Sequence, residues 1–490
     1  SDFVGTFLGP FGKWQLRSTF LIFLVKIPSA WFMACLIFTA KSPLPGEIFC
    51  RNNVVVDKSN SWIRSAHQEQ FNRVENEESY NFCLVYEDAN EKYANLSRTS
   101  SSVLIPCQHF DVHPKYISII TQYQLFCHRE ALVALTQSFH LLGVLIGGII
   151  AYYMLKVISP RRTMLAGMIS QIFLGLATGF APTYELHLFF RCAVAATCSL
   201  QCIGIMILLD IITSPRHRVT AVCLFEQFWS IGVILLPLMS TWWNSWSLVY
   251  VAITLPTFSL ILLYYWIPDS PRWLLRHGKI HEAKNILLDA ARFNNKTDFN
   301  ENDLNRQLQT LADTMREDPP EAKWKSIWVG RNGVKRKLFA AHLAWSIYLM
   351  LYFGLLLHVR AMGRNYLEVN TAVAGISEIV GTFIGYFLIL NTTHKWFWTS
   401  MLNILTSLIA LSAIFVPDSV PSFERMVIYM ATSMVNKISV STSLSIFITS
   451  TSEIVSKDKR KICNYSGVTC SRTLVMIAPF IGFCVIFGQL

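Results

Sequence analysis

Lys26, Glu226, Glu378, Lys437 and Arg472 each stand inside a long apolar stretch of this sequence. A charge at the centre of a bilayer costs at least about 2.5 to 3.5 kcal/mol on insertion scales, so each needs a partner, a cavity or a ligand. None belongs to a bond-making pattern. The sequence holds no Gly-rich phosphate loop ending in Lys-Ser or Lys-Thr, no His-Glu-x-x-His helix and no Cys-x-x-Cys pair. It therefore reads as no enzyme, with no cofactor and no metal. The chemistry on offer is recognition of charge. The planar guanidinium of Arg472 suits two-pronged capture of a carboxylate. Glu378 either meets an ammonium or neutralises Lys437 or Arg472, and Lys26 assists a carboxylate, snorkels or pairs with Glu226.

The elements that must hold these groups follow from composition. Of 490 residues, 52% are hydrophobic and only 15% charged, and mean hydropathy is +0.39. Soluble domains need more charge, and a fibrous chain or small disulfide scaffold is excluded as well. Apolar runs at 19–39, 131–155, 163–180, 185–209, 219–241, 247–267, 338–358, 371–390, 396–416, 426–450 and 467–487 predict eleven membrane-crossing helices. The chain is expected to be an all-α polytopic membrane protein with the lipid bilayer as its surroundings. Its predicted parts are a bundle at 1–267, a polar loop at 268–337 and a second bundle at 338–490. The connections at 156–162, 215–218 and 457–461 and the end of the central loop are rich in Lys and Arg, which predicts a cytoplasmic amino terminus. The net charge of +11 is then a record of topology rather than a sign of nucleic acid.

The long connection at 41–129 falls on the outer side and holds Cys50, Cys83, Cys107 and Cys127. Four cysteines on an oxidising face predict two disulfides, with three pairings open. Asn95-Leu-Ser is a plausible glycosylation site there, whereas the sequons at Asn295, Asn391 and Asn464 fall on cytoplasmic connections. Trp242, Trp243 and Trp246 read as an interfacial belt. The chain starts with Ser, so residues before it are expected.

The halves share a local pattern. Asp210-Ile-Ile-Thr-Ser-Pro-Arg-His-Arg218 follows the fourth span and Glu453-Ile-Val-Ser-Lys-Asp-Lys-Arg460 the tenth. This predicts a parallel repeat whose acid and basic groups form part of an inner gate.

Several stretches carry a specific resemblance: Ile267-Pro-Asp-Ser-Pro-Arg-Trp-Leu-Leu275, Gly9-Pro-Phe-Gly12, Ser118-Ile-Ile-Thr-Gln-Tyr-Gln-Leu-Phe-Cys127, Tyr352-Phe-Gly-Leu355, Asn436-Lys437 and Gly467-Val-Thr-Cys-Ser-Arg472. Over nearly its whole length the chain resembles the organic cation, organic anion and carnitine transporters of the major facilitator superfamily. Lys26-Ile-Pro-Ser-Ala-Trp31 is most similar to invertebrate members. The resemblance implies two six-helix bundles around a central cavity, twelve spans of which eleven are read here, the last being either cut from this sequence or absent from the natural protein. It implies a cavity wall of Phe228, Trp229, Tyr348, Tyr352 and Phe353, faces that attract ammonium groups. It also implies gating parts at Arg161, Arg162, Arg191, Asp210, Arg218, Asp269, Arg272, Glu453 and Arg460. Lys156 and Ser159 depart from the Asp-Arg-x-Gly-Arg-Arg loop pattern, and Asn391-Thr-Thr-His-Lys395 departs in the second half. The Arg472 position carries Arg in anion and carnitine members and Asp in cation members.

The expected activity is secondary transport across the plasma membrane. Its substrate would be a small carboxylate-bearing zwitterion or anion, carnitine-like or β-amino-acid-like, with Na+, H+ or an exchanged anion as possible coupling partner. A non-transporting relative with degraded gates and an organic cation carrier are the alternatives.

Overall fold

A computed structural model describes residues 7, 9, 11–43, 47–51, 83–86, 104–107, 109–212, 215–295, 301–316, 332–361, 366–417, 420–454 and 460–480. Helices stand at each expected apolar run. They are Lys13–Thr39, Ala131–Met154, Pro160–Gly179, Tyr184–Ile211, Pro215–Thr241, Trp246–Trp266, Asn332–His358, Leu367–Asn391, Lys395–Ser412, Ser422–Ile454 and Arg460–Val475, taken below as the first to eleventh spans. Seven candidate spans among the described residues are long and apolar enough to cross a bilayer by length and composition alone. Local signals start several of them. Pro160 opens the third span, where its missing N–H costs nothing. The Thr183 side chain caps the fourth and Ser245 the sixth. The seventh and tenth begin earlier than their apolar runs because helix continues into polar residues outside the bilayer.

Pairing of small residues sets the closest approaches. A Cβ at Gly143 or Gly147 on the second span would collide with the backbone of Cys192 or Ala196 on the fourth. On the eighth span, Gly381 and Gly385 face Ile438 and Thr442 of the tenth in the same way. Two glycines four residues apart let helix backbones touch in a membrane. That the second and fourth spans repeat as the eighth and tenth is the parallel repeat in physical form.

The halves meet along two seams, the fifth span against the eighth and the second against the eleventh. At the face bearing the 41–129 connection, Lys41 Nζ lies 3.0 Å from Glu368 Oε1 across the halves. Arg360 Nη2 donates to the Ala40 carbonyl at 2.6 Å. Beneath them, buried Phe38, Leu356, Val359, Leu367 and Met434 close one apolar cluster drawn from both halves.

The long connection is not wholly without strands. Strand β1 (Ile48–Arg51) pairs antiparallel with β4 (His109–Val112), and β2 (Leu84–Tyr86) with β3 (Leu104–Pro106). Cys83 and Cys127 form a disulfide. Cys107 is disulfide-bonded too, while the Cys50 side chain and Asn95 lie outside the described residues. Trp246 departs from the expected belt. It is fully buried and donates to Gln122 Oε1 at 2.7 Å, because the chain at Ile117 runs against residues 244–246 and covers it. Trp242, by contrast, is 83% exposed.

At the opposite, basic face the central loop forms helices Pro271–Arg276, Ile280–Phe293 and Glu301–Arg316. Asn294 ties them to the start of the first span, accepting from Trp14 N at 2.9 Å and donating to Gln15 Oε1 at 3.0 Å.

The glycine seam makes a direct prediction. Gly147→Leu is expected to destabilise the protein by about 1 to 3 kcal/mol through overpacking. Gly354→Ala, where an added Cβ meets nothing within 4 Å, is expected to be neutral or stabilising. Thermal midpoints of both variants in detergent check the contrast.

Candidate functional site

Between the halves lies a cavity of about 270 Å3. Its walls come from the first, second, fourth, fifth, seventh, eighth, tenth and eleventh spans, and none of its lining comes from the third, sixth or ninth. Met33, Leu141 and Val475 pack together at its end nearer the strand-bearing connection. The remaining lining runs towards the basic face, through Val144, Cys202, Trp345, Thr382, Ile448 and Val468.

Charge is distributed unevenly around this space. Lys26 Nζ lies 3.2 Å from Glu226 Oε1 and over the rings of Phe225 and Trp229 at 4.5 and 5.4 Å. Of the options open for Lys26, pairing with Glu226 is the one the fold takes. Lys437 Nζ stands 3.6 Å from Glu378 Oε2 and 4.8 Å from the Tyr352 ring centroid. At that separation the pair is coulombic rather than hydrogen-bonded. The other Glu378 oxygen accepts from the Tyr352 hydroxyl. Glu378 lines the cavity, and Lys437, 1% exposed, sits behind it.

Arg472 differs from both lysines. Its Nη1 donates to the Val144 carbonyl of the second span at 3.1 Å, and no carboxylate among the described residues forms an ion pair with it. A Cβ at Gly148 would press on this guanidinium, so the glycine makes its room. Three cations thus stand with two acids, and the unmatched charge faces the cavity.

Of the aromatics expected on the wall, Trp229, Tyr352 and Phe353 line it. Phe228 does not. It lies about 100° around the helix from Trp229 and about 200° from Glu226, and packs on Phe20 and Phe23 at 5.9 and 5.1 Å. Tyr348 does not line it either. Its hydroxyl accepts from Asn403 Nδ2 at 2.9 Å, and its ring lies 5.2 Å from Phe447, which turns it towards the ninth and tenth spans. Trp345 and His140 line the cavity without having been expected. Helical spacing from Tyr352 could have flagged Trp345, two turns earlier.

The gate residues fall into separate places. Asp269 accepts from the Arg161 amide at 3.2 Å and from its neighbour Ser270 at 2.9 Å, and the Ser270 hydroxyl donates to Asp210. Arg161 also donates to the Tyr264 and Tyr265 carbonyls at 3.2 Å, and Arg218 to the Ile212 carbonyl at 2.6 Å. Arg218 and Arg272 act electrostatically on Asp210, while Arg162 is exposed. This cluster ties the third, fourth and sixth spans of one half together at the basic face. Arg191 is elsewhere, fully buried in the same half. It donates to Gln137 Oε1 at 2.8 Å, to the Tyr250 hydroxyl and to Cys35 Sγ. The side chains of Glu453 and Arg460 lie outside the described residues.

Burial of the Lys437 and Glu378 pair sets a test. Glu378→Gln leaves an uncompensated ammonium and is expected to cost about 3 to 5 kcal/mol, whereas Glu378→Gln with Lys437→Met is expected to recover most of that loss. Thermal unfolding of the purified single and double variants measures it.

Comparison with known proteins agrees with this architecture. The family profile of the Major Facilitator Superfamily matches residues 97–482. An organic cation transporter-like protein of Drosophila melanogaster is 26% identical over 495 residues, covering 97% of this chain and 83% of its own. Solute carrier family 22 member 7 of Rattus norvegicus is 25% identical over 400 residues, covering 78% of this chain and 72% of its own. Among solved structures, an inward open conformation of the xylose transporter XylE from E. coli superposes with a TM-score of 0.59 at 12% identity, covering 95% of this chain and 89% of its own. That likeness concerns the fold. With a repeated two-half bundle, a central cavity and these relatives, the chain belongs to the Major Facilitator Superfamily, as a transporter of its organic cation and organic anion transporter family.

Proposed function

We propose that this transporter carries small carboxylate-bearing organic anions or zwitterions across the plasma membrane, with its amino terminus in the cytoplasm. The observation that carries the reading is the Arg472 guanidinium, which lines the cavity with no acidic partner among the described residues. An unmatched guanidinium in a desolvated cavity is a site for a carboxylate, and its planar fork favours two-point capture. Trp229, Tyr352 and Phe353 supply the surface for the rest of the substrate, including an ammonium in a zwitterion.

In this reading the basic face is cytoplasmic and the 41–129 connection extracellular, with Asn95 glycosylated. The Lys41 to Glu368 pair and the apolar cluster beneath it then hold the outer entrance closed. Transport follows from exchanging this closure for one at the inner ends of the spans while the cavity keeps its lining. Na+, H+ or a counter-transported anion drives the cycle.

An organic cation is the second reading, favoured by the likeness to the organic cation transporter-like protein of Drosophila melanogaster and by Glu378 beside Tyr352 on the cavity wall. Against it, the Glu378 charge is matched by Lys437.

Uptake of radiolabelled carboxylates and quaternary amines into proteoliposomes separates the two. Arg472→Ala is expected to raise the carboxylate KM at least about tenfold, the size of one lost charge-assisted interaction. Arg472→Asp is expected to shift preference towards amines. Unchanged carboxylate uptake in Arg472→Ala would overturn the assignment.

A further inference from the structure

His140 is a buried polar side chain that the proposed cycle leaves without a task. It is 1% exposed, lines the cavity, and its Nδ1 has no hydrogen-bond partner among the described residues. Burying an imidazole nitrogen without a partner is costly, and native proteins rarely tolerate it away from sites that bind something.

The position on the second span is specific. Three residues before it, Gln137 accepts from Arg191 at 2.8 Å, and four residues after it, the Val144 carbonyl accepts from Arg472 at 3.1 Å. Spacings of three and four place these positions on one helix face. His140 thus stands one turn, about 6 Å along the axis, from the carbonyl that anchors the substrate-binding guanidinium. Arg472 and His140 are therefore two hydrogen-bonding groups set further apart than the two oxygens of one carboxylate.

We propose that His140 is a specificity-determining residue of the transporter. Resting on the reading that Arg472 holds a carboxylate, its imidazole hydrogen-bonds a hydroxyl on the substrate's carbon chain, a few ångström from the carboxylate. A neutral imidazole offers one N–H and one lone pair, and a hydroxyl, which both donates and accepts, satisfies whichever nitrogen meets it. A cavity built this way favours a hydroxy acid over the unsubstituted acid of the same length, because the latter leaves the buried imidazole without that hydrogen bond.

The test compares uptake of labelled 3-hydroxybutyrate and butyrate by proteoliposomes holding the full chain. The wild type is expected to show a KM about tenfold lower for the hydroxy acid, the size of one hydrogen bond. His140→Phe is expected to remove that preference by raising the hydroxy-acid KM about tenfold more than the butyrate KM. His140→Gln, which keeps an N–H, is expected to retain most of it. Should the Phe variant not reach the membrane, His140→Met, of similar size and without a donor, carries the same expectation. A preference that survives in these variants, or an equal rise in both KM values, overturns the role of His140 and leaves Arg472 untouched. Loss of both activities in Arg472→Ala keeps the anion site in place, whereas failure of the wild type to take up either acid overturns both.

Discussion

Neutralisation of charge inside the bilayer is the constraint on which this architecture depends. Lys26 and Glu226 belong to the first and fifth spans, and Glu378 and Lys437 to the eighth and tenth, so each pair closes within one half. The halves can then move against each other without separating opposite charges in a low-dielectric interior, a step that costs several kcal/mol. The pair that does cross the halves, Lys41 with Glu368, is about a third exposed at the rim. Exposed pairs contribute only about 0 to 1 kcal/mol, so this one is cheap to break and suits a moving closure.

Packing follows the same division. Glycines seat the second span on the fourth and the eighth on the tenth, making firm walls within each half. The Asp210, Asp269 and Ser270 network likewise fastens the third, fourth and sixth spans to the helices of the central loop. Between the halves the described residues make side-chain contacts together with hydrogen bonds from Arg472 to Val144, from Ser138 to the Met476 carbonyl at 2.7 Å, from Arg360 to the Ala40 carbonyl at 2.6 Å and between the Thr220 and Tyr386 hydroxyls at 3.1 Å. Arg472, the proposed carboxylate site, is thus also bonded across the two halves.

Much of this was legible in the sequence, for physical reasons. Apolar runs near 20 residues specify spans because the bilayer permits no unpaired backbone. An arginine among them needs a partner or a ligand, and Arg191 is met by Gln137 and Tyr250 where Arg472 meets no acid among the described residues. Direction around a helix was less legible. Phe228 is one residue from Trp229 yet faces Phe20 and Phe23, and Tyr348 is drawn off by Asn403, a partner 55 residues away in sequence. Trp246 resembled its exposed neighbours in sequence, and only the return of the chain at Ile117 buries it. The choice of Lys437 rather than Arg472 as partner of Glu378 likewise depends on tertiary distance. His140 gave no signal, since a histidine in an apolar run is unremarkable until the fold places it, nearly fully buried, on a cavity wall.

The central claim is that Arg472 makes this cavity a carboxylate site. A ligand that binds only the folded protein raises the thermal midpoint in step with its concentration over its Kd. Titrating purified wild type and Arg472→Ala with matched carboxylates and quaternary amines measures this without needing the coupling ion. The account predicts stabilisation by carboxylates that is absent in Arg472→Ala. Equal stabilisation of both proteins by carboxylates, or stabilisation of the wild type by amines alone, would contradict it.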